Sequence, residues 1–304
     1  MILYKFVSGE VGRAILYIRT NIGNSIGIAL WFVKSDDKRF WNREKCFPFL
    51  NLFLKSMSKL EFIDLSGLRL DGRRPNELRK INARLGVLAK PNGSALLEQG
   101  NTRILVSVFG PRECTSKAKE LHDRAAVCCE CNIAPYSTGG DRRKRTKGDR
   151  LVNELSTLIT QTFESLLFTN IFPRSQIDIY VEVLQADGGL RPASLNAVTL
   201  ALIDAGLPMK DFLCSCNAGW IDGHTLADLN HLEESARGPD LCLAYMPNCD
   251  QVVTCNLDAK LKLEALGQMM ECSLQGCRQV YQILQAAVLE NTSSLAASRG
   301  HISA

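Results

Sequence analysis

The chain has 304 residues, 46% of them hydrophobic and 22% charged, with 36 Lys and Arg against 32 Asp and Glu. Those proportions exclude a disordered, collagenous or repeat-dominated chain. The longest apolar run, Ile26 to Val33, falls short of the roughly 18–20 residues that a membrane helix needs. The positive excess sits in one place: residues 141–150 hold Arg142, Arg143, Lys144, Arg145, Lys147 and Arg150 against Asp141 and Asp149, and the rest of the chain is balanced. A concentrated patch on a neutral body suits a local polyanion contact better than general adhesion to membranes, with an ordinary solvated loop as the plainer alternative.

Residues 1–56 mix aromatic and aliphatic clusters (LWFV, CFPFLNLFL) with scattered Lys and Arg and carry no sustained period. A targeting presequence, an extra structural element and translated sequence upstream of a natural start at Met57 all fit, and the third is favoured. From Arg79 the pattern is that of hairpins. Ile81–Ala89, Ala95–Gln99 and Arg103–Phe109 read as strands separated by Pro91-Asn92-Gly93 and Gly100-Asn101, and Ala126–Ile133 as a fourth. The period then changes: Leu151, Leu155, Leu158, Ile159, Thr162, Phe163, Leu166 and Leu167 follow the spacing of an amphipathic helix. Ile177 to Val183 alternates like a half-buried strand, Gly188-Gly189 interrupts, and 192–204 reads as a buried helix with Pro192 at its first position. Strands over 212–219, 225–229, 241–246 and 251–257 and a long terminal helix complete an α+β sandwich of mixed or antiparallel sheets with packed helices.

Twelve cysteines in a chain this long, without a convincing signal peptide, read as small buried hydrophobes of a reducing compartment. Cys128-x-x-Cys131 has zinc-like spacing, but no second pair accompanies it and a strand points these two thiols to opposite faces, so no metal site is expected.

Three stretches could carry chemistry. In Ala186-Asp187-Gly188-Gly189-Leu190-Arg191 a glycine pair precedes a helix N-terminus and a forked cation, which describes an anion pocket or a tight strand-to-helix turn. In LADLNHLEE, Asp228 ends a strand, with Glu233 and Glu234 one turn on; these could hold Mg²⁺ or donate a proton, or could be a turn cap followed by two exposed acids. The basic stretch, with Arg112, Lys117, Lys119 and Arg124 upstream and Tyr136 as the only nearby aromatic, fits salt-sensitive RNA binding of weak sequence selectivity.

The run LDGRRPNELRKINARLGVLAKPNGSALLEQGNTRILVSVFGPRE, then YSTGGDRR, PRSQIDIYVEVLQADGG, NAVTLALIDAGLPMKDF and DLNHLEE resembles the RNase PH family and, within it, exosome core ring subunits. The resemblance covers about residues 57–290, leaving 1–56 as a non-family extension and 296–304 as a tail beyond a 57–295 domain. It implies the RNase PH fold (ribosomal protein S5 domain 2-like), with two βα halves assembled into a hetero-hexameric ring of similar subunits. It further implies RNA, S1/KH cap subunits and an associated nuclease as partners, no membrane, and a location in nucleus, nucleolus and cytoplasm. Active relatives use inorganic phosphate, with Mg²⁺, to release 3′-terminal nucleotides as diphosphates.

Carried over by residue, Gly188, Gly189 and Arg191 match the phosphate loop, but Leu190 stands where a Thr hydroxyl would bind. Thr160 stands where the helix of active relatives offers an Arg. Asp228 and Glu234 occupy the two acidic catalytic positions, the second one methylene longer than the usual Asp, and Arg150 matches an RNA contact. Each charge-assisted hydrogen bond to an ion is worth about 1.5–3 kcal/mol. Each lost preorganised donor at a developing charge costs about 10²–10³ in rate, so two losses amount to roughly 10⁴–10⁶ if additive. The expectation is a non-catalytic, RNA-guiding subunit that requires no cofactor. A working phosphorolytic 3′-to-5′ exoribonuclease and a nucleotide-binding protein unrelated to RNA are the alternatives.

Overall fold

A computed structural model describes the backbone of three strands within residues 5–34, and residues 62–300 apart from 65–66, 115–119, 140–141, 143–147, 222 and 237. The chain divides into two compact units, Met1–Leu60 and Glu61–Ala304. In the first, strands β1 (Lys5–Ser8), β2 (Arg13–Ile22) and β3 (Ser25–Lys34) pair as an antiparallel meander, and the apolar run from Ile26 lies in β3.

The second unit opens with strands β4 (Ile81–Leu85), β5 (Gly93–Gln99), β6 (Thr102–Glu113) and β7 (Ala126–Ile133), then helix α1 (Arg150–Leu166) and strand β8 (Ser175–Gln185). Their sheet runs β4-β5-β6-β8-β7 and is antiparallel except between β7 and β8. A parallel pair needs a crossover longer than a hairpin, and α1 supplies it. Leu155, Ile159, Thr162, Phe163 and Leu166 of α1 are buried, the face its periodicity requires, and Asp149 caps it by accepting from the Leu151 N–H at 3.3 Å. Strand β4 stops at Leu85 instead of Ala89. Gly86 takes a left-handed φ of 66°, which turns the chain, and its N–H bonds the Ser94 carbonyl.

Helix α2 (Leu190–Asp204) is buried from Pro192 to Leu202 because sheets lie against it from both halves, which explains its lack of a polar face. Pro192 is its third residue, not its first, yet still costs no hydrogen bond: the first intrahelical acceptance, Ala193 N–H to Gly189 O, lies one residue further on. Strands β9 (Cys214–Ile221), β10 (His224–Ala227), β11 (Asp240–Met246) and β12 (Gln251–Leu257), with the short helix α3 (His231–Ser235), form a second antiparallel sheet ordered β10-β9-β11-β12. Helix α4 (Leu263–Ser298) packs on β9 opposite α2. Ser215 bonds Asn196 of α2, whereas the Cys216 carbonyl accepts from Ser273 of α4, so β9 is covered on both faces and reads CSCNAGWI without alternation. A Cβ on Gly276 would lie 2.5 Å from the Cys216 sulfur, so only glycine lets α4 approach this strand.

None of the eleven cysteines among the described residues is in a disulfide. Burial pushes the Cys242 and Cys277 thiols up to about 12, which leaves them inert.

Candidate functional site

The glycine loop and the acidic turn, separate candidates in the sequence, lie against one another. Gly188 and Gly189 both take left-handed φ values, 79° and 64°, between β8 and α2. A Cβ on Gly188 would lie 2.5 Å from the Asn230 carbonyl carbon and 2.6 Å from the His231 nitrogen. The loop amide that the sequence assigns to phosphate already has a partner: Gly189 N–H donates to Glu234 Oε1 at 2.6 Å. Burial pushes the Glu234 carboxyl up, against the pull of that amide and of the Arg79, His231 and Arg191 charges.

Asp228 follows β10 with a left-handed φ of 54°, a conformation that Asp tolerates better than most residues. Its carboxylate has no exposed surface. It accepts from Arg79 Nη2 at 2.6 Å, Arg79 Nε at 3.0 Å, the Arg79 backbone N–H at 2.8 Å and Gln99 Nε2 at 2.8 Å. Burial alone would raise this carboxyl, but the Arg79 bonds and charge outweigh it and hold it below the ordinary carboxylate range. Arg79 also bonds the Asp187 carbonyl at 2.7 Å and the Gly188 carbonyl at 3.3 Å, so one guanidinium ties the acidic turn to the glycine loop. In this arrangement Asp228 is a clamp for the loop and presents no free oxygen to a leaving group.

Glu233, exposed on the sequence reading, is buried. With Asn230 it completes a reciprocal cap on α3, and it accepts a forked pair of bonds from Arg69 at 2.8 and 2.5 Å. Sequence reasoning misses Arg69, Arg73 and Arg79. The arginine-rich run LRLDGRRPNELR is the available signal, but nothing local says which acids it meets some 150 residues on.

Arg191 is likewise engaged, by Glu154 of α1 at 2.6 Å and Asp258 at 2.7 Å. Beside it opens a cavity of ≈ 410 Å³ lined by Leu190, Arg191, Glu234, Asn217, Asp240 and Leu151 among others. Asp240 Oδ1 and Asn217 Oδ1 are buried without a hydrogen-bond partner, and burial with the nearby Glu234 charge pushes the Asp240 carboxyl up to about 7. Thr160, at the position of the expected helix Arg, is not among the residues lining this cavity, and its hydroxyl bonds back to the Ser156 carbonyl at 2.9 Å.

Orthophosphate needs donors, and the two that the loop would bring are engaged: the Gly189 amide is spent on Glu234 and the Arg191 guanidinium is shared by two carboxylates. Nor does the donor set fit Mg²⁺ as the resemblance would place it, because Asp228 is locked by Arg79 and Glu234 by Gly189.

The basic candidates fall into two groups. Arg112 and Arg124 are exposed at one end of the first sheet, near the start of β8. Arg112 lies over the Phe109 ring at 5.7 Å and is paired with Asp178. Arg142 and Arg150 are exposed beyond the other end of β7, a strand of eight residues and so about 25 Å away. Arg143, Lys144, Arg145 and Lys147 lie outside the described residues.

A helix-opening glycine loop clamped against an acidic turn, at the seam of two βα halves, defines the class of domain. The chain matches the 3′ exoribonuclease family, RNase PH, with domain 1 over residues 77–208 and domain 2 over residues 211–276, one match to each half, and it belongs to that family. It is 47% identical over 245 residues to the exosome complex component RRP41 of Mus musculus, covering 80% of this chain and 100% of the mouse protein. It is 45% identical over 237 residues to the Arabidopsis thaliana RRP41 homolog (78% and 98%), and 40% identical over 232 residues to Rrp41 of Thermoplasma acidophilum (76% and 93%). Two solved structures share the fold: rice Rrp46, with TM-score 0.63 and 24% identity over 72% of this chain and 100% of that one, and an Archaeoglobus fulgidus exosome with RNA bound to the active site, with TM-score 0.62 and 22% identity over 71% and 92%.

Proposed function

We propose that this chain is an RNA-binding structural subunit of an exosome core ring, supporting 3′-to-5′ RNA degradation and rRNA processing without phosphorolysis of its own. The observation that carries this reading is the state of the anion loop: Glu234 occupies the Gly189 amide while Glu154 and Asp258 hold Arg191. Its partners are RNA, other RNase PH-like subunits in a hetero-hexameric ring, S1/KH cap subunits and an associated nuclease, in nucleus, nucleolus and cytoplasm. Relatives spanning nearly their whole length with this chain bear the name of exosome complex components, which supports the ring assignment. The second reading, a phosphorolytic exoribonuclease using inorganic phosphate and Mg²⁺, draws its support from the cavity itself, which retains Arg191 and Glu234 at the mouth of α2.

Assembled with its ring partners and given 3′-tailed RNA with orthophosphate and Mg²⁺, the subunit is expected to release no nucleoside diphosphate above background. Robust release that disappears on Asp228→Ala or Glu234→Ala, with the ring still assembled, contradicts the reading.

The basic stretch then supplies affinity by counterion release. Neutralising Arg142, Arg143 and Arg145 to Gln, at about 0.7 of a slope unit per single-strand contact, makes log K against log salt shallower by about 2 and weakens binding roughly 50-fold at 0.15 M salt. Fluorescence anisotropy with a single-stranded RNA across a salt series reads both. An unchanged slope rules this stretch out as the RNA contact.

A further inference from the structure

Strand β7 carries three cysteines in four residues, and they divide between its faces. Cys129 and Cys131, two apart, share the face toward the core and α1, and their sulfurs lie 3.7 Å from one another. Both are half-buried free thiols, so each keeps a path to solvent while sitting in a largely apolar surround. The Cys129 carbonyl accepts from Ser156 of α1, and the parallel ladder pairs Cys129 with Ile179 and Cys131 with Val181 on β8, so the backbone around the thiols is fixed. The hydrogen bond with Cys131, with burial behind it, pushes the Cys129 thiol up, so any capture has to displace a firmly held proton.

Two outcomes are open to such a pair, and geometry separates them. A disulfide requires the sulfurs to close from 3.7 Å to about 2.05 Å, with Cα atoms about 6.6–6.8 Å apart, the upper limit for that bond. The ladder with β8 resists the approach. A bridging atom requires little closure: two sulfurs each about 2.3 Å from one centre, with an angle of about 95–110° between the bonds, stand about 3.4–3.8 Å apart. Soft thiolate ligands select soft ions, and no third ligand of the His, Cys, Asp or Glu type completes a site among the described residues.

We propose that Cys129 and Cys131 form a two-thiol capture site for a thiophilic metal or metalloid ion that two thiolates satisfy. With a trivalent organoarsenical oxide the step balances without redox change. Two As–S bonds replace the As=O bond, both thiol protons leave with the oxygen as one water, and arsenic stays trivalent.

The probe is phenylarsine oxide at one equivalent on the reduced full-length chain, read by intact mass and peptide mapping. The expected result is one adduct spanning Cys129 and Cys131, resistant to excess 2-mercaptoethanol and removed by a dithiol such as 2,3-dimercaptopropanol. Cys129→Ser and Cys131→Ser each lose the resistant adduct, and Cys128→Ser keeps it. An adduct stripped by the monothiol, mapped to other cysteines, or retained by Cys131→Ser overturns the proposal. Mapping on the wild-type chain locates the adduct even where a variant fails to fold.

Discussion

Replacing Arg79 by Ala is expected to cost about 3–5 kcal/mol of folding stability at neutral pH, because it leaves the Asp228 carboxylate buried without its principal counter-charge. For a domain of this size that corresponds to a fall in Tm of roughly 6–10 °C. Gln99 Nε2 and the residue-79 backbone N–H remain, and Arg73 Nη1 stands 3.8 Å away, so the carboxylate is impoverished but not naked. The pH dependence has a definite sign. In the wild type the folded Asp228 carboxyl lies below its ordinary 3.8, so the pair's contribution is present above that pH and is lost only as pH falls through the lower folded value. In Arg79→Ala burial dominates and the carboxyl moves up, so the penalty is greatest at neutral pH and shrinks in acid. Urea unfolding at pH 7.5 and pH 4 measures both. A deficit under 1 kcal/mol at pH 7.5, or one that grows toward pH 4, contradicts the clamp.

Gly188→Ala is the second large effect, at about 2–5 kcal/mol. A left-handed backbone costs an alanine about 1–2 kcal/mol, and forcing a methyl into a packed site typically costs about 1–3 kcal/mol more. Here the obstacle is backbone, at 2.5 and 2.6 Å, which cannot swing aside as a side chain would. Relief therefore requires the glycine loop and the Asn230–His231 turn to part, which also loosens the Gly189–Glu234 bond. Equilibrium unfolding of this variant beside Gly206→Ala separates the contributions, since Gly206 shares the positive φ but has nothing within 4 Å of its Cβ. Equal costs at both positions mean that backbone strain acts alone and that the loop and turn are not in close contact.

What can be read along the chain is what is local. The 3.6-residue spacing from Leu155 to Leu166 and the alternation from Ile177 to Val183 are direct imprints of one buried face, and both elements stand where the periods put them. The glycine loop and acidic turn are also legible, as separate motifs, and the family resemblance of residues 57–290 agrees with the matches over 77–208 and 211–276. What cannot be read is who pairs with whom. Arg191 meets Glu154 and Asp258, which are 37 and 67 positions away, and Arg69 meets Glu233 across 164. A guanidinium in sequence is a free cation, whereas in the fold its charge depends on what the packing of α1, α2 and β12 brings within reach. The same reason explains Glu233: a charged residue on a five-residue helix looks solvated until a distant arginine is known to cover it.

A phosphate loop works by leaving donors unpaired until the ion arrives. Here the Gly189 amide and the Arg191 guanidinium are engaged from within the chain. For orthophosphate to enter, Glu234 must leave the Gly189 amide and Glu154 and Asp258 must release Arg191, and the entering ion then stands beside Asp240 and Glu234, carboxyls that repel it whenever they are ionised. A crystal of the ring-assembled subunit soaked in orthophosphate tests this most directly. Glu234 is expected to stay bonded to Gly189, with no phosphate beside α2. An ordered phosphate seated on the Gly188–Gly189 amides and Arg191, with Glu154 and Asp258 turned away, contradicts a loop satisfied from within.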